Sequence, residues 1–306
     1  MSEANGNSKS KLHGLWALTN RELKKWYKAP VIFILSIVQP IIWMGLLGKA
    51  MNIGAIFSGG SFGQSLGNLV FTPKLTDMQS LQLGSFFQSL QTSIMQNTFN
   101  TTDYFSFMAV GMIAFTALFT TAFSGMSVVW DRRLGFLNKA LSTPVSRGVI
   151  VFSKVLSATL RSMFQAGIII LIAIAFGLQF GASFNPLYVF GVFAIMFLIC
   201  VGLSSMFIAI TIRSTRIETP MAVMNLITLP LMFASNAFFP TSIMPSWLQT
   251  VATFNPMTYT TDAVRQLLIN GTTDFMVVAK DFAYVGIFAV LAATIGIVLS
   301  WRYLSK

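Results

Sequence analysis

The chain of 306 residues holds one histidine, His13, one cysteine, Cys200, and nine aspartates and glutamates. A Ser-His-Asp relay or a histidine and cysteine metal site needs several such side chains close together, so neither can be built here. The phosphate-cradling pattern G-x-x-x-x-G-K-[ST] is absent, as are G-x-G-x-x-G and H-E-x-x-H. The chain therefore carries no ATP site of its own. If it moves a solute against a gradient, the energy must come from another subunit. Ion-coupled carriers keep ionisable groups inside the bilayer to bind the coupling ion. Here Asp131 and Glu218 stand at the ends of apolar runs, and Asp77, Asp103, Asp262, Asp274 and Asp281 stand at or beyond the opposite ends. Lys154 and Arg161 enter one run from its basic end, where long basic side chains are expected to snorkel to the interface.

Hydropathy places these residues. Apolar residues make up 55% of the chain and charged residues only 9%, with mean hydropathy +0.72. That leaves too little polar surface for a soluble protein of this size. Six apolar runs near 31–47, 104–130, 150–180, 187–212, 220–239 and 282–299 are each long enough to cross a hydrocarbon core about 30 Å thick. They are continuous rather than alternating, which excludes a β-barrel. The expectation is an all-α polytopic membrane protein: 1–30 a cytoplasmic tail and interfacial helix, 31–306 a six-span domain. Of the 20 lysines and arginines, only Lys49, Lys74, Arg265 and Lys280 fall outside when the N-terminus is inside. The positive-inside rule then puts both termini in the cytoplasm of a cell-membrane protein, and assigns the +11 net charge to inner loops rather than to nucleic acid.

Three segments between the runs are patterned. On a helical wheel Leu12, Leu15, Trp16, Thr19, Leu23, Trp26 and Tyr27 share an arc, with His13, Arg21, Lys24, Lys25 and Lys28 opposite, as in a helix lying in the membrane interface. Between the second and third runs, Leu134, Phe136, Leu137, Ala140 and Leu141 share one side of a short helix and Asp131, Arg132, Gly135 and Lys139 the other. Its apolar side is expected to meet a soluble partner, so a carboxylate at Leu137 is expected to block coupling while membrane insertion stays normal. The segment 236–280 is too apolar for a free loop. Asn255 can cap and Pro256 can open a short helix there, which suggests a re-entrant hairpin in which Asp262 and Arg265, three apart, can pair with each other or with a second copy of the chain. The polar stretch 51–103 reads as a long external loop with a short helix near 80–98.

The run WDRRLGFLNKALSTPVSR from Trp130 to Arg147, with ASNAFFP at 234–240, NPMTY at 255–259 and DAVR at 262–265, resembles type-2 ABC exporter permeases of the daunorubicin-resistance (DrrB-like) group. The resemblance covers nearly the whole chain. It implies that 131–141 is a coupling helix seated in a groove of an ATP-binding subunit, with Asp131, Arg132, Arg133, Leu134, Gly135, Phe136, Leu137 and Leu141 at the contact. It implies an interface helix with Trp16, Arg21, Lys24, Lys25 and Trp26. It also implies an external gate at Phe239, Pro240, Asn255, Pro256, Tyr259, Asp262 and Arg265. Two ATP-binding subunits holding ATP and Mg, a second permease copy and a lipophilic drug or lipid as cargo belong to the same expectation. The chain departs from the group at Arg133 and Asn138, where glutamate is usual, and at Phe136, where threonine is. On the residues alone two other readings stay open. A passive channel or scramblase would need a polar pore stripe that none of the runs shows clearly. A non-transporting scaffold would have no use for the helix at 131–141.

Overall fold

The computed structural model describes residues 4–50, 85–86, 89, 93, 95–101, 103–143, 145–214, 216 and 218–304. Most of the stretch 51–103 lies outside the described residues; of the short helix expected at 80–98, residues 85, 86, 89 and 93 are helical and Met95–Phe99 forms a π turn. The described residues form helices and turns, with no strand among them. In chain order the helices are α1 (Ala4–Tyr27), α2 (Pro30–Trp43), α3 (Tyr104–Arg133), α4 (Phe136–Leu141), α5 (Arg147–Ala175), α6 (Tyr188–Thr211), α7 (Glu218–Phe233), α8 (Ser246–Phe254), α9 (Pro256–Leu268) and α10 (Phe275–Leu304).

Four helical stretches are long and apolar enough to cross a membrane: Gln96–Arg133, Arg147–Ala175, Tyr188–Thr211 and Phe275–Ser300. The other two expected runs form shorter apolar helices. Proline opens α2 at its first position, where the missing N–H costs nothing, and Pro40 lies inside it. The helix then widens into a π segment at Met44–Ala50. Helix α7 has 16 residues with Pro230 in its last turn, so at 1.5 Å per residue it is about 24 Å long.

Helix α3 is the centre of the bundle. Asp103 caps it, its carboxylate accepting the Ser106 N–H at 3.1 Å. Every residue from Tyr104 to Leu118 is buried, packed by α5, α6, α7, α9 and the π segment after α2. In lipid there is little hydrophobic drive between helices, so close backbone approach matters. Gly111 supplies one such approach. A Cβ there would collide with the Ala237 carbonyl oxygen, so only glycine lets the turn after α7 rest on α3. The opposite extreme is α10, which leaves Ile287, Val290, Leu291 and Ile295 exposed.

Candidate functional site

Two ends of the bundle gather the residues singled out by the sequence. At one end, which is basic, the last turn of α3 carries Asp131, only 1% exposed. Its carboxylate takes Lys154 of α5 on one oxygen and Lys25 of α1 on the other at 2.7 Å, with Arg21 at 3.6 Å. Glu22 of α1, also buried, receives Arg21 at 2.9 Å, Lys25 at 3.0 Å and Lys154 at 3.5 Å. Lys154 further donates to the Ser127 hydroxyl at 3.3 Å. Two acids and three cations thus knit α1, α3 and α5 into one unit. Lys154 is buried among these partners, so it is paired rather than snorkelling. Arg21 and Lys25, expected on the outer face of α1, turn inward to the acids, and the guanidinium of Arg21 lies 3.1 Å from the Phe136 ring centroid.

The segment expected as one helix at 131–141 is two pieces. Asp131 to Arg133 complete α3. Gly135 takes φ +71°, a left-handed conformation that an L side chain adopts only with strain, and this ends the helix. Arg132 turns away to donate to the carbonyls of Ile212 and Ser214 beyond α6, at 2.6 and 3.2 Å. Helix α4 then packs back on its own chain. Leu137 and Ala140 are buried with Val128, Ile150, Val151, Val155, Ile208 and Ile212. What faces outward is Arg133, Leu134 (75% exposed), Gly135, Lys139, Ser142 and Thr143. The side chains of Asn138 and Leu141 lie outside what the structure describes. On α1, Trp16 and Tyr27 are exposed and Lys24 faces out, whereas Thr19 is fully buried. Trp26 is half-buried and packs edge-on against Phe33 and Phe164.

At the opposite end, Asn255 joins α8 to α9. Its side-chain oxygen accepts the Met257 N–H at 3.0 Å, capping α9 above Pro256. Its amide donates to the carbonyls of Leu231 and Ala234 at 2.8 and 2.7 Å, tying the cap to the end of α7. Asp262 and Arg265, which their spacing allows to pair, form no ion pair with each other. Asp262 accepts from the Asn236 amide at 2.8 Å. Arg265, buried, donates to the carbonyls of Ala237 and Phe107 and stacks on the Phe107 ring at 3.5 Å. Tyr259 stacks on Tyr284 of α10 at 3.9 Å and donates to the Thr253 carbonyl. Pro240 is buried and Phe239 half-exposed at 46%.

Asn255 therefore does more than cap. Asn255→Ala removes three hydrogen bonds and strands two carbonyls, and is expected to cost about 2–3 kcal/mol at roughly 1 kcal/mol per bond. Asn255→Ser keeps a capping oxygen and should recover about 1 kcal/mol of that. Thermal unfolding in detergent ranks the three proteins; equal losses for the alanine and serine variants would remove the cap from the account.

The sequence of residues 13–269 matches the family described as ABC-2 type transporter. The chain belongs to this family. A putative transport permease, ycf38, from Cyanophora paradoxa is 29% identical over 255 residues, which is 83% of this chain and 73% of the relative. The daunorubicin resistance ABC transporter permease protein DrrB1 of Streptomyces coeruleorubidus is 24% identical over 196 residues, 63% of this chain and 68% of the relative. A probable multidrug ABC transporter permease, YbhR, of Escherichia coli K12 is 27% identical over 181 residues, 58% of this chain and 47% of the relative. ABC-2 permeases normally work with an ABC ATP-binding subunit. Glu22 has no part in the expectation drawn from the sequence, and Lys154 enters it as a snorkelling side chain rather than as the partner of buried acids. The one usable signal was an acid inside an otherwise basic helix and a lysine inside an apolar run, each calling for a partner.

Proposed function

We propose that this chain is the transmembrane subunit of an ATP-driven exporter that moves a lipophilic drug-like molecule or lipid outward. ATP and Mg sit on two copies of a separate ATP-binding subunit, and two copies of the permease form the path. The chain crosses the plasma membrane six times with both termini in the cytoplasm, so α1 and α4 lie at the cytoplasmic face. Helices α8 and α9 form the re-entrant pair at the outer mouth, with Phe239, Pro240, Asn255, Tyr259, Asp262 and Arg265 closing it.

The observation that carries the reading is the basic end. An exposed turn from Arg133 to Gly135 continues directly from α3, whose last residues are locked by buried charge to α1 and α5. A push on that turn reaches three helices at once, which is what a coupling element requires. The carboxylates usual in the family are replaced by Arg133 and Asn138, so the matching groove on the ATP-binding subunit should be acidic.

Purified alone, the chain should hydrolyse no ATP. Joined with an ABC ATP-binding subunit and reconstituted in vesicles, it should give substrate efflux that stops when ATP is withdrawn. Efflux that continues unchanged without ATP would favour a passive channel or scramblase. ATP turnover by the isolated chain, free of copurifying ATPases, would sink the assignment.

A further inference from the structure

A cavity of about 380 Å³ opens between α1, α2, α3 and α5. One side of its wall carries aromatic rings, Trp26 from α1 and Phe115, Phe119 and Phe123 from α3, and α2 adds Leu35, Gln39 and Pro40. The α5 wall is different. Arg161 and Gln165 line it one helical turn apart, on one face. Gln165 is 1% exposed. Its side-chain oxygen accepts the Thr120 hydroxyl, while its amide nitrogen has no hydrogen-bond partner among the described residues. Arg161 donates its Nε to the Ser157 carbonyl at 3.2 Å. Among the described residues its guanidinium makes no ion pair within 4.0 Å; Glu22 acts on it only at longer range and is itself held by Arg21, Lys25 and Lys154. The buried Gln165 amide donor is thus left without an acceptor, and Arg161 without a carboxylate in direct contact, in a pocket whose other polar groups are the Gln39 amide and the hydroxyls of Ser36, Thr116 and Thr120. Buried donors are nearly always satisfied, so a missing acceptor at such a place points to something that binds there.

We infer that this cavity binds an amphiphile with an anionic headgroup, its acidic oxygens on Arg161 and the Gln165 amide and its apolar tail along Phe119 and Phe115. The depth fits. Arg161 lies two turns from Lys154, about 10 Å along α5, so the head sits just inside the charged end of the bundle. Phe123 stands eight residues before Asp131 and reaches a similar level, with Phe119 and Phe115 successively deeper on α3. Trp26 lies on the α1 side of the cavity, and tryptophan favours the membrane interface. Planar guanidinium pairs two acidic oxygens at once, which selects phosphate or carboxylate over a zwitterion whose charge is already balanced. The site needs no ATP and no partner subunit, so it stands apart from the coupling proposal.

Native mass spectrometry of the purified full chain, titrated with phosphatidylglycerol and separately with phosphatidylcholine, tests this. Phosphatidylglycerol should bind roughly tenfold more tightly, the scale of one charge-assisted contact. Arg161→Gln should abolish that preference, Arg161→Lys should keep part of it, and Gln165→Leu should weaken phosphatidylglycerol several-fold. If Arg161→Gln does not fold, Phe123→Trp fills the cavity from its exposed side and should displace the lipid. Competition by oleate would show that the site reads any anionic amphiphile, exported solutes included; binding that oleate leaves untouched would assign it to phospholipid. Equal binding of the two phospholipids, unchanged in Arg161→Gln, overturns the inference. So does a Phe123→Cys protein that cross-links efficiently to a second copy through this cavity, since a neighbouring helix would then occupy it.

Discussion

Asp131→Asn should destabilise the basic end by about 3 kcal/mol or more, the usual cost of removing one partner from a buried ion pair. The substitution keeps the shape and removes the charge. Lys154, itself 5% exposed, then keeps only Glu22, at 3.5 Å, as a carboxylate partner. Lys25 and Arg21 lose less, because their side chains are 43% and 32% exposed and water can take over. The loss should therefore be traced to Lys154. Adding Lys154→Met to Asp131→Asn removes the stranded cation and leaves Glu22 with Arg21 and Lys25. The double variant should be more stable than Asp131→Asn alone, which a double-mutant cycle on thermal unfolding in detergent would read directly. On the ordinary scale the single variant should lower Tm by on the order of 5 °C. A single variant as stable as the parent, or a double variant whose losses simply add, would mean that the cluster does not hold α1 to the bundle.

That cluster was not legible in the sequence, and the reason is physical. Lys154 meets Glu22 across 132 positions of chain, and nothing local to either residue encodes the meeting. The spans were legible for the opposite reason. Lipid forces every backbone group to be satisfied within its own helix, so long apolar runs such as α3, α5, α6 and α10 announce themselves. Lipid also removes the contrast that shows which face is inside. Helices α3 and α10 read alike by hydropathy, yet the first is buried from Tyr104 to Leu118 and the second leaves Ile287, Val290 and Leu291 exposed. Asn255 and Pro256 were readable because a cap acts on the residues next to it. Arg265 shows the limit of the same logic: spacing on a helix says which groups can meet, and its acceptors within this chain are carbonyls of other segments.

The helical wheel failed most informatively at 134–141, where it set Leu134 and Leu137 on one face. Gly135 interrupts the helix between them, and the two leucines part company: Leu134 is 75% exposed and Leu137 is 3% exposed. Their aspartate variants should therefore behave differently. Leu137→Asp drives a carboxylate among Val128, Ile150, Val155 and Ile208, beside a small cavity whose cations Arg21 and Lys154 are already paired with Glu22 and Asp131. An unpaired charge in such a place costs several kcal/mol. Expression and Tm should fall, with or without an ATP-binding subunit, so loss of transport in that variant would say nothing about docking. Leu134→Asp touches no core and should change stability by less than about 0.5 kcal/mol. If the turn docks as proposed, its added charge meets a groove expected to be acidic. Like charges brought together at an interface core cost several kcal/mol, so copurification with the ATP-binding subunit and ATP-dependent efflux should both collapse. Leu134→Lys gives the opposite sign and should be tolerated better. A Leu134→Asp protein that retains its partner and transports normally would move the docking surface away from this turn and onto the exposed face of α1, where Trp16 and Lys24 are the next residues to test.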